Sequence, residues 1–243
     1  MSRITYDDLR VETVVQVAKL MAASAITAPR SGGQLMLKGK PNFFETIIID
    51  DRETLSALSQ WMRRRGKERR ENIWFRDADV ADAIDAVLFI GLKDWYPPNY
   101  DCGACGFATC AEFLHATKKI RDDSDELEFK GPTCNLRDID LGVAVGSAAK
   151  TAAIHSIDCR CQTRIAVAAR KLGVIESDIA IALTLSLTQK AVGFDRKMPE
   201  TDFDGLDLAS TNTLPVGFAG ARLDGDGARN RQKPRYSIGD KSR

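Results

Sequence analysis

Six cysteines occur in this chain, and all of them fall between Cys102 and Cys161. In Asp101-Cys102-Gly103-Ala104-Cys105-Gly106-Phe107-Ala108-Thr109-Cys110 three thiols share nine residues at C-x2-C-x4-C spacing. Cys134 follows in Gly131-Pro132-Thr133-Cys134. Three near thiolates and one remote thiolate suit a [4Fe–4S] cluster, which needs one thiolate at each of four iron corners. A tight loop can wrap three corners only where glycines permit the turns, and Gly103 and Gly106 supply that freedom. They also let backbone N–H groups approach the sulfurs, which raises the reduction potential. Phe107 and Phe113 are candidates either to shield the cluster from solvent or to belong to the core.

Zinc is the chemical competitor, since four thiolates also close a tetrahedral structural site. Zinc ribbons present two C-x2-C pairs, whereas here the second interval is four residues and the fourth thiol stands alone. The spacing therefore favours iron and sulfide at Cys102, Cys105, Cys110 and Cys134. The remaining pair, Cys159 and Cys161, forms a C-x-C that has two readings: an additional redox or ligand pair, or two small buried hydrophobes. Two thiols cannot complete a second cubane without ligands from another subunit.

The rest of the chain must position these groups. With 243 residues, 44% hydrophobic and 28% charged, it can bury a substantial core. Its 35 basic and 34 acidic side chains leave a net charge of +1, which points to no polyanionic partner and no nucleic acid. No uninterrupted apolar run reaches membrane-spanning length, and the first thirty residues lack the pattern of a secretion signal. We therefore expect a cytoplasmic protein with no membrane partner, in a compartment where clustered cysteines mean metal rather than disulfides.

Helical periodicity covers Asp7 to Ala25, and Pro29, Gly32 and Gly33 break it. The β-branched run Thr46-Ile47-Ile48-Ile49 predicts a strand, followed by a helix from Arg52 to Arg65. A second strand is predicted at Ala86–Ile90, ending at Gly91. Between Asp94 and Gly106, Tyr, Pro, Asn, Gly and Cys predict a loop that carries the first cysteines. Helices are predicted at Cys110–Ile120, Ile139–Ile154 and Cys161–Leu172, then a strand from Ile179 to Leu185.

This alternation predicts an α/β fold: a mixed or parallel sheet flanked by helices, with the cluster loop inserted after a strand. Residues 1–198 are expected to form one domain with the cluster segment at 94–136. Residues 199–243 should form an extended or disordered tail. The end of that tail is basic, with seven basic and three acidic residues from Ala221 to Arg243.

Other chemistry-bearing residues carry weaker signals. His115 and His155, the only histidines, lie in no catalytic pattern. The run Arg63-Arg64-Arg65-Gly66-Lys67-Glu68-Arg69-Arg70 suits a solvated helix end, with docking of an acidic redox partner as the other reading. Lys150-Thr151 resembles the end of a phosphate-binding loop, but alanines stand where that pattern demands glycine. The small-residue stretch from Gly142 to Ala153 suits close helix packing.

The segment CGACGFATC resembles the C-G-x-C-G-x-x-x-C core of four-iron cluster domains in anaerobic electron-transfer proteins. A wider set of segments is similar to a family of uncharacterised ferredoxin-domain proteins. They are Ala25–Pro29, Gly131–Cys134, Asp140–Lys150 and Gly193–Arg196, within a likeness spanning roughly residues 10 to 196. That resemblance implies the cluster and no particular reaction. The expected roles are electron transfer with a redox partner protein, in a homo-oligomer; an oxidoreductase in which the cluster feeds a flavin such as FMN; or a zinc-stabilised interaction protein. The flavin reading rests on a fold-level analogy of Asp140, the helix after it and Asp195-Arg196 with nitroreductase-type proteins, without a specific motif.

Overall fold

The computed structural model describes residues 3–29, 31, 43–123 and 127–188. The expected tail, Gly193–Arg196 and part of the first turn region therefore lie outside the described residues. The chain runs α1 (Tyr6–Thr27), β1 (Phe44–Ile49), α2 (Arg52–Arg69), α3 (Asn72–Ala83), β2 (Ala86–Leu92), α4 (Cys110–Asp122), α5 (Asn135–Ile154), β3 (Asp158–Gln162), α6 (Arg164–Lys171) and β4 (Ile179–Ser186). The four strands form one sheet in the order β1-β2-β4-β3, and each neighbouring pair is antiparallel. Helices cover both faces, so the expected α/β layering is what the chain adopts.

Local chemistry explains most of these elements. Thr5 and Asp8 form a reciprocal capping box that starts α1, and the Asp51 carboxylate accepts the Thr54 N–H at the start of α2. Central strand β2 is buried at all seven positions because both its faces carry helices. On one face Val14, Val17 and Met21 of α1 and Leu141, Ala144 and Ala148 of α5 pack on Leu88, Ile90, Leu183 and Leu185. On the other, Leu58, Met62, Trp74, Ala78 and Val167 pack on Val87, Phe89, Ala180 and Ala182.

Two features depart from the expected elements. Helix α3 was not anticipated; it forms a hairpin with α2 and returns the chain to the end of the sheet where β1 finishes, so β2 runs antiparallel to β1. The expected helix from Cys161 begins instead at Arg164, and Asp158–Gln162 is edge strand β3, paired only with β4. Its sequence DCRCQ lacks the β-branched residues that signal a strand, and pairing with β4 overrides that propensity.

The sheet also contains a close approach that only glycine permits. A methyl group added at Gly91 of β2 would overlap the buried side chain of Ser177, whose hydroxyl and backbone N–H both donate to the Glu45 carboxylate. Ser177 is pinned and cannot yield. Gly91→Ala should therefore destabilise the fold by about 1–3 kcal/mol, as overpacking does. Thermal denaturation would detect this, and an unchanged melting temperature would contradict the packing.

Candidate metal centre

Strand β2 ends at Leu92, and the next seventeen residues hold the first two motif cysteines before α4 begins at Cys110. The base of this loop is fixed by Trp95, which is 9% exposed and donates its indole N–H to Asp178 at 2.8 Å. Arg121 of α4 lies 4.4 Å over the Trp95 ring, pairs with Asp178 at 2.5 Å and donates to the Pro132 carbonyl at 2.8 Å. One guanidinium thus ties the loop to the segment that leads to Cys134.

The loop itself is coiled by left-handed residues. Asn99, Asp101, Gly103 and Gly106 all have positive φ, at 60°, 47°, 70° and 86°. For the two glycines this conformation carries no steric cost. The Gly106 N–H donates to the Gly103 carbonyl at 2.9 Å and closes the turn around Cys105. The Asp101 carboxylate accepts the Cys110 N–H at 2.7 Å, so the residue before the first cysteine grips the third. Asn135, just past Cys134, donates its amide to the Ala104 carbonyl and joins the two parts of the motif.

Two helix starts meet at the same place. Thr109 and Glu112 form a capping box that makes Cys110 the first residue of α4. Cys134 is the N-cap of α5 and makes no side-chain capping bond. Both helices direct the positive ends of their dipoles at this place, which favours negative charge there.

Cys102, Cys105, Cys110 and Cys134 line one pocket, with Phe107, Phe113, Pro97 and Pro98 among its walls. Cys102 is exposed, Cys105 half-buried, and Cys110 and Cys134 buried. Phe107 and Phe113 meet edge to face at 5.8 Å, and Phe113 is 2% exposed, so these rings are wall and core at once. Among the described residues no three His, Cys, Asp or Glu side chains gather tightly enough to hold a single metal ion. Four cysteine thiols around one pocket are the donor set of an iron–sulfur group, whose ligands are thiolates.

Sequence reasoning missed Arg137, one turn beyond Cys134. It is 1% exposed and pairs with Asp140 at 2.7 Å. It also donates to the Tyr96 carbonyl at 2.6 Å and the Ser31 carbonyl at 3.1 Å, and lies 4.2 Å over Phe43. Asp140 accepts from the Ser31 N–H and hydroxyl at 2.6 and 2.7 Å. The pair locks α5, the cysteine loop and the segment after α1 together. Asp101 and Asn135 were also missed. Their adjacency to motif cysteines was the available signal.

The other candidates lie elsewhere. Cys159 and Cys161 sit on β3 and are not part of the pocket lining. Burial first, and then the neighbouring Cys161 and Asp158, push the Cys159 thiol up to about 12, so it stays protonated at neutral pH. His115 is exposed on α4, and His155 caps the end of α5. In the basic run, Arg63 pairs with Asp79 and Asp82, and Arg65 and Arg69 with Glu128, so much of that charge is neutralised within the chain.

Residues 98–120 match a family model described as "Putative Fe-S cluster", and residues 130–196 match one described as "Uncharacterized protein containing a ferredoxin domain (DUF2148)". A protein of Archaeoglobus fulgidus, described only as an uncharacterized protein, is 37% identical over 191 residues, covering 78% of this chain and 95% of that one. Among solved structures, a nitroreductase-like protein from Streptococcus mutans is similar with a TM-score of 0.42 at 12% identity, over 73% of this chain and 80% of that one. A BluB-like flavoprotein from Clostridium difficile 630 gives a TM-score of 0.44 at 13% identity, over 77% and 84%. No helix among the described residues is long and apolar enough to cross a membrane. With the archaeal relative matched over nearly its whole length and the two models falling on the cysteine segments, the chain belongs to the family of uncharacterized proteins containing a ferredoxin domain.

Proposed function

We propose that this protein binds a [4Fe–4S] cluster through Cys102, Cys105, Cys110 and Cys134 and serves in intracellular electron transfer. The observation that carries this reading is the shared pocket of four cysteines at the convergent starts of α4 and α5. Such a cluster supplies one-electron chemistry when bound.

The chain's own groups set the conditions for that chemistry. The two helix starts favour negative charge beside Cys110 and Cys134. Phe107, Phe113 and the two prolines exclude water from the inner side. Cys102 marks the exposed rim, and a redox partner protein would approach there. Assembly with further copies of the chain belongs to the same proposal and is read by sizing the loaded protein.

Oxygen-free preparation tests this reading directly. The protein should be brown, with about four irons and four sulfides per chain. A colourless protein holding zinc alone would replace the cluster with a structural metal. A yellow flavin released by heat would turn the reading to a flavin-assisted oxidoreductase.

A further inference from the structure

Of the groups that hold the cysteine loop in shape, Asp101 alone places a carboxylate on the backbone of a motif cysteine. It precedes Cys102 and lines the same pocket as the four cysteines. Its φ of 47° lies in the left-handed region, which Asp and Asn tolerate better than most residues because a short polar side chain can bond locally. The side chain crosses the loop, and its carboxylate accepts the Cys110 N–H at 2.7 Å. A ring of chain that holds Cys102, Cys105 and Cys110 is thereby closed by one side chain.

The atom that Asp101 takes matters electrically. Cys110 is the first residue of α4, and its N–H is one of the four that a helix leaves without an intrahelical acceptor. The Thr109 hydroxyl takes the Glu112 N–H of that set, and Asp101 takes the Cys110 N–H. A donor that could serve a sulfur is therefore committed to an oxygen, and the positive end of the helix meets a carboxylate. From Asp94 to Thr117 the chain contains no Lys or Arg, so no cation of this stretch offsets that charge. Net charge and hydrogen bonds to the sulfurs both set the reduction potential of a cluster. Asp101 acts on both in one direction: it withdraws an N–H and adds a negative charge, and each disfavours the more negative, reduced state.

We propose that Asp101 is a positioning residue for the cluster with two separable effects. Its hydrogen bond holds Cys102 and Cys110 in ligating geometry, and its charge lowers the reduction potential. Both effects rest on the cluster reading above and assign a role to a residue outside the ligand set.

Two substitutions separate the effects in the full chain, reconstituted without oxygen and compared at one pH. Asp101→Asn keeps an acceptor oxygen for the Cys110 N–H and a residue suited to positive φ, and removes the charge. Asp101→Gly adopts the same φ freely but removes the hydrogen bond along with the charge. Asp101→Asn should load iron as the parent does and release it to a chelator at the parent's rate. At a fixed poise its ratio of reduced to oxidised cluster should be at least about threefold higher, a gain that shrinks with added salt. Asp101→Gly should show the raised ratio and also release iron about tenfold faster. In the unloaded protein the Cys110 amide hydrogen should exchange about tenfold faster in Asp101→Gly and at the parent's rate in Asp101→Asn.

A merely structural Asp101 would leave the ratio of Asp101→Asn at the parent's value, and that result overturns the proposal. An Asp101→Gly that holds its cluster as tightly as the parent, or exchanges the Cys110 amide at the parent's rate, overturns it too. Iron absent from the reconstituted parent contradicts the cluster reading and this inference together, whereas a loaded parent with unmoved variants contradicts this inference alone.

Discussion

Cys134→Ser is expected to cut the iron content of anaerobically reconstituted protein from about four per chain to less than half of that, and to abolish the stabilisation that loading confers. Cys134 is the remote cysteine of the four, reaching the pocket from α5 while the other three arrive on the loop that ends at α4. Removing it leaves one iron corner without a thiolate, and a serine hydroxyl is a poor replacement for a soft ligand. The substitution carries its own control. Cys134 is the N-cap of α5, where serine is a better residue than cysteine, so the unloaded fold should hold or gain stability. Iron loss without loss of fold therefore reports ligation. Cys159→Ser should keep full iron, since that thiol is protonated and outside the pocket lining. Full iron retention by Cys134→Ser would mean that the fourth ligand lies elsewhere.

Arg137→Leu should give the largest loss of stability of any single substitution considered. Arg137 and Asp140 are 1% and 2% exposed, and breaking a buried pair leaves the other charge uncompensated at a cost of about 3–5 kcal/mol. For a domain of this size that corresponds to a melting temperature lower by about 6–20 °C. The carbonyls of Tyr96 and Ser31 lose their donor as well, so the loop preceding Cys102 loosens. Arg137→Leu combined with Asp140→Leu should recover part of the loss, because the orphaned carboxylate is gone. A single variant that melts within a degree or two of the parent would contradict the network. So would a double variant that is worse than the sum of its parts.

Much of the site was legible in the residues because its signals are local. The C-x2-C-x4-C spacing, the paired glycines and the turn-rich composition from Asp94 to Gly106 all act over a few residues, and the loop does follow strand β2. The continuous apolar run at Ala86–Ile90 likewise marks the central strand, buried on both faces. What escaped was tertiary. Strand β3 exists because Cys159, Arg160 and Cys161 find β4 as a partner, not because their side chains prefer extended backbone. Helix α3 buries most of its circumference, including Arg76 and Asp77, and so lacks the one-sided periodicity that marks a surface helix. Arg137 precedes the helix expected at Ile139–Ile154 and carried no reading, Asp140 entered only through the family resemblance and the flavin analogy, and contacts with Ser31 and Tyr96 from distant parts of the chain complete their buried network.

If two loop cysteines and two at helix starts hold one redox-active cluster, electron paramagnetic resonance of the reduced, oxygen-free protein tests it most directly. The account predicts a paramagnetic signal integrating to about one spin per chain, absent from Cys134→Ser and retained in Cys159→Ser. A silent spectrum from protein that carries its full complement of metal, or a signal that survives Cys134→Ser unchanged, would contradict it.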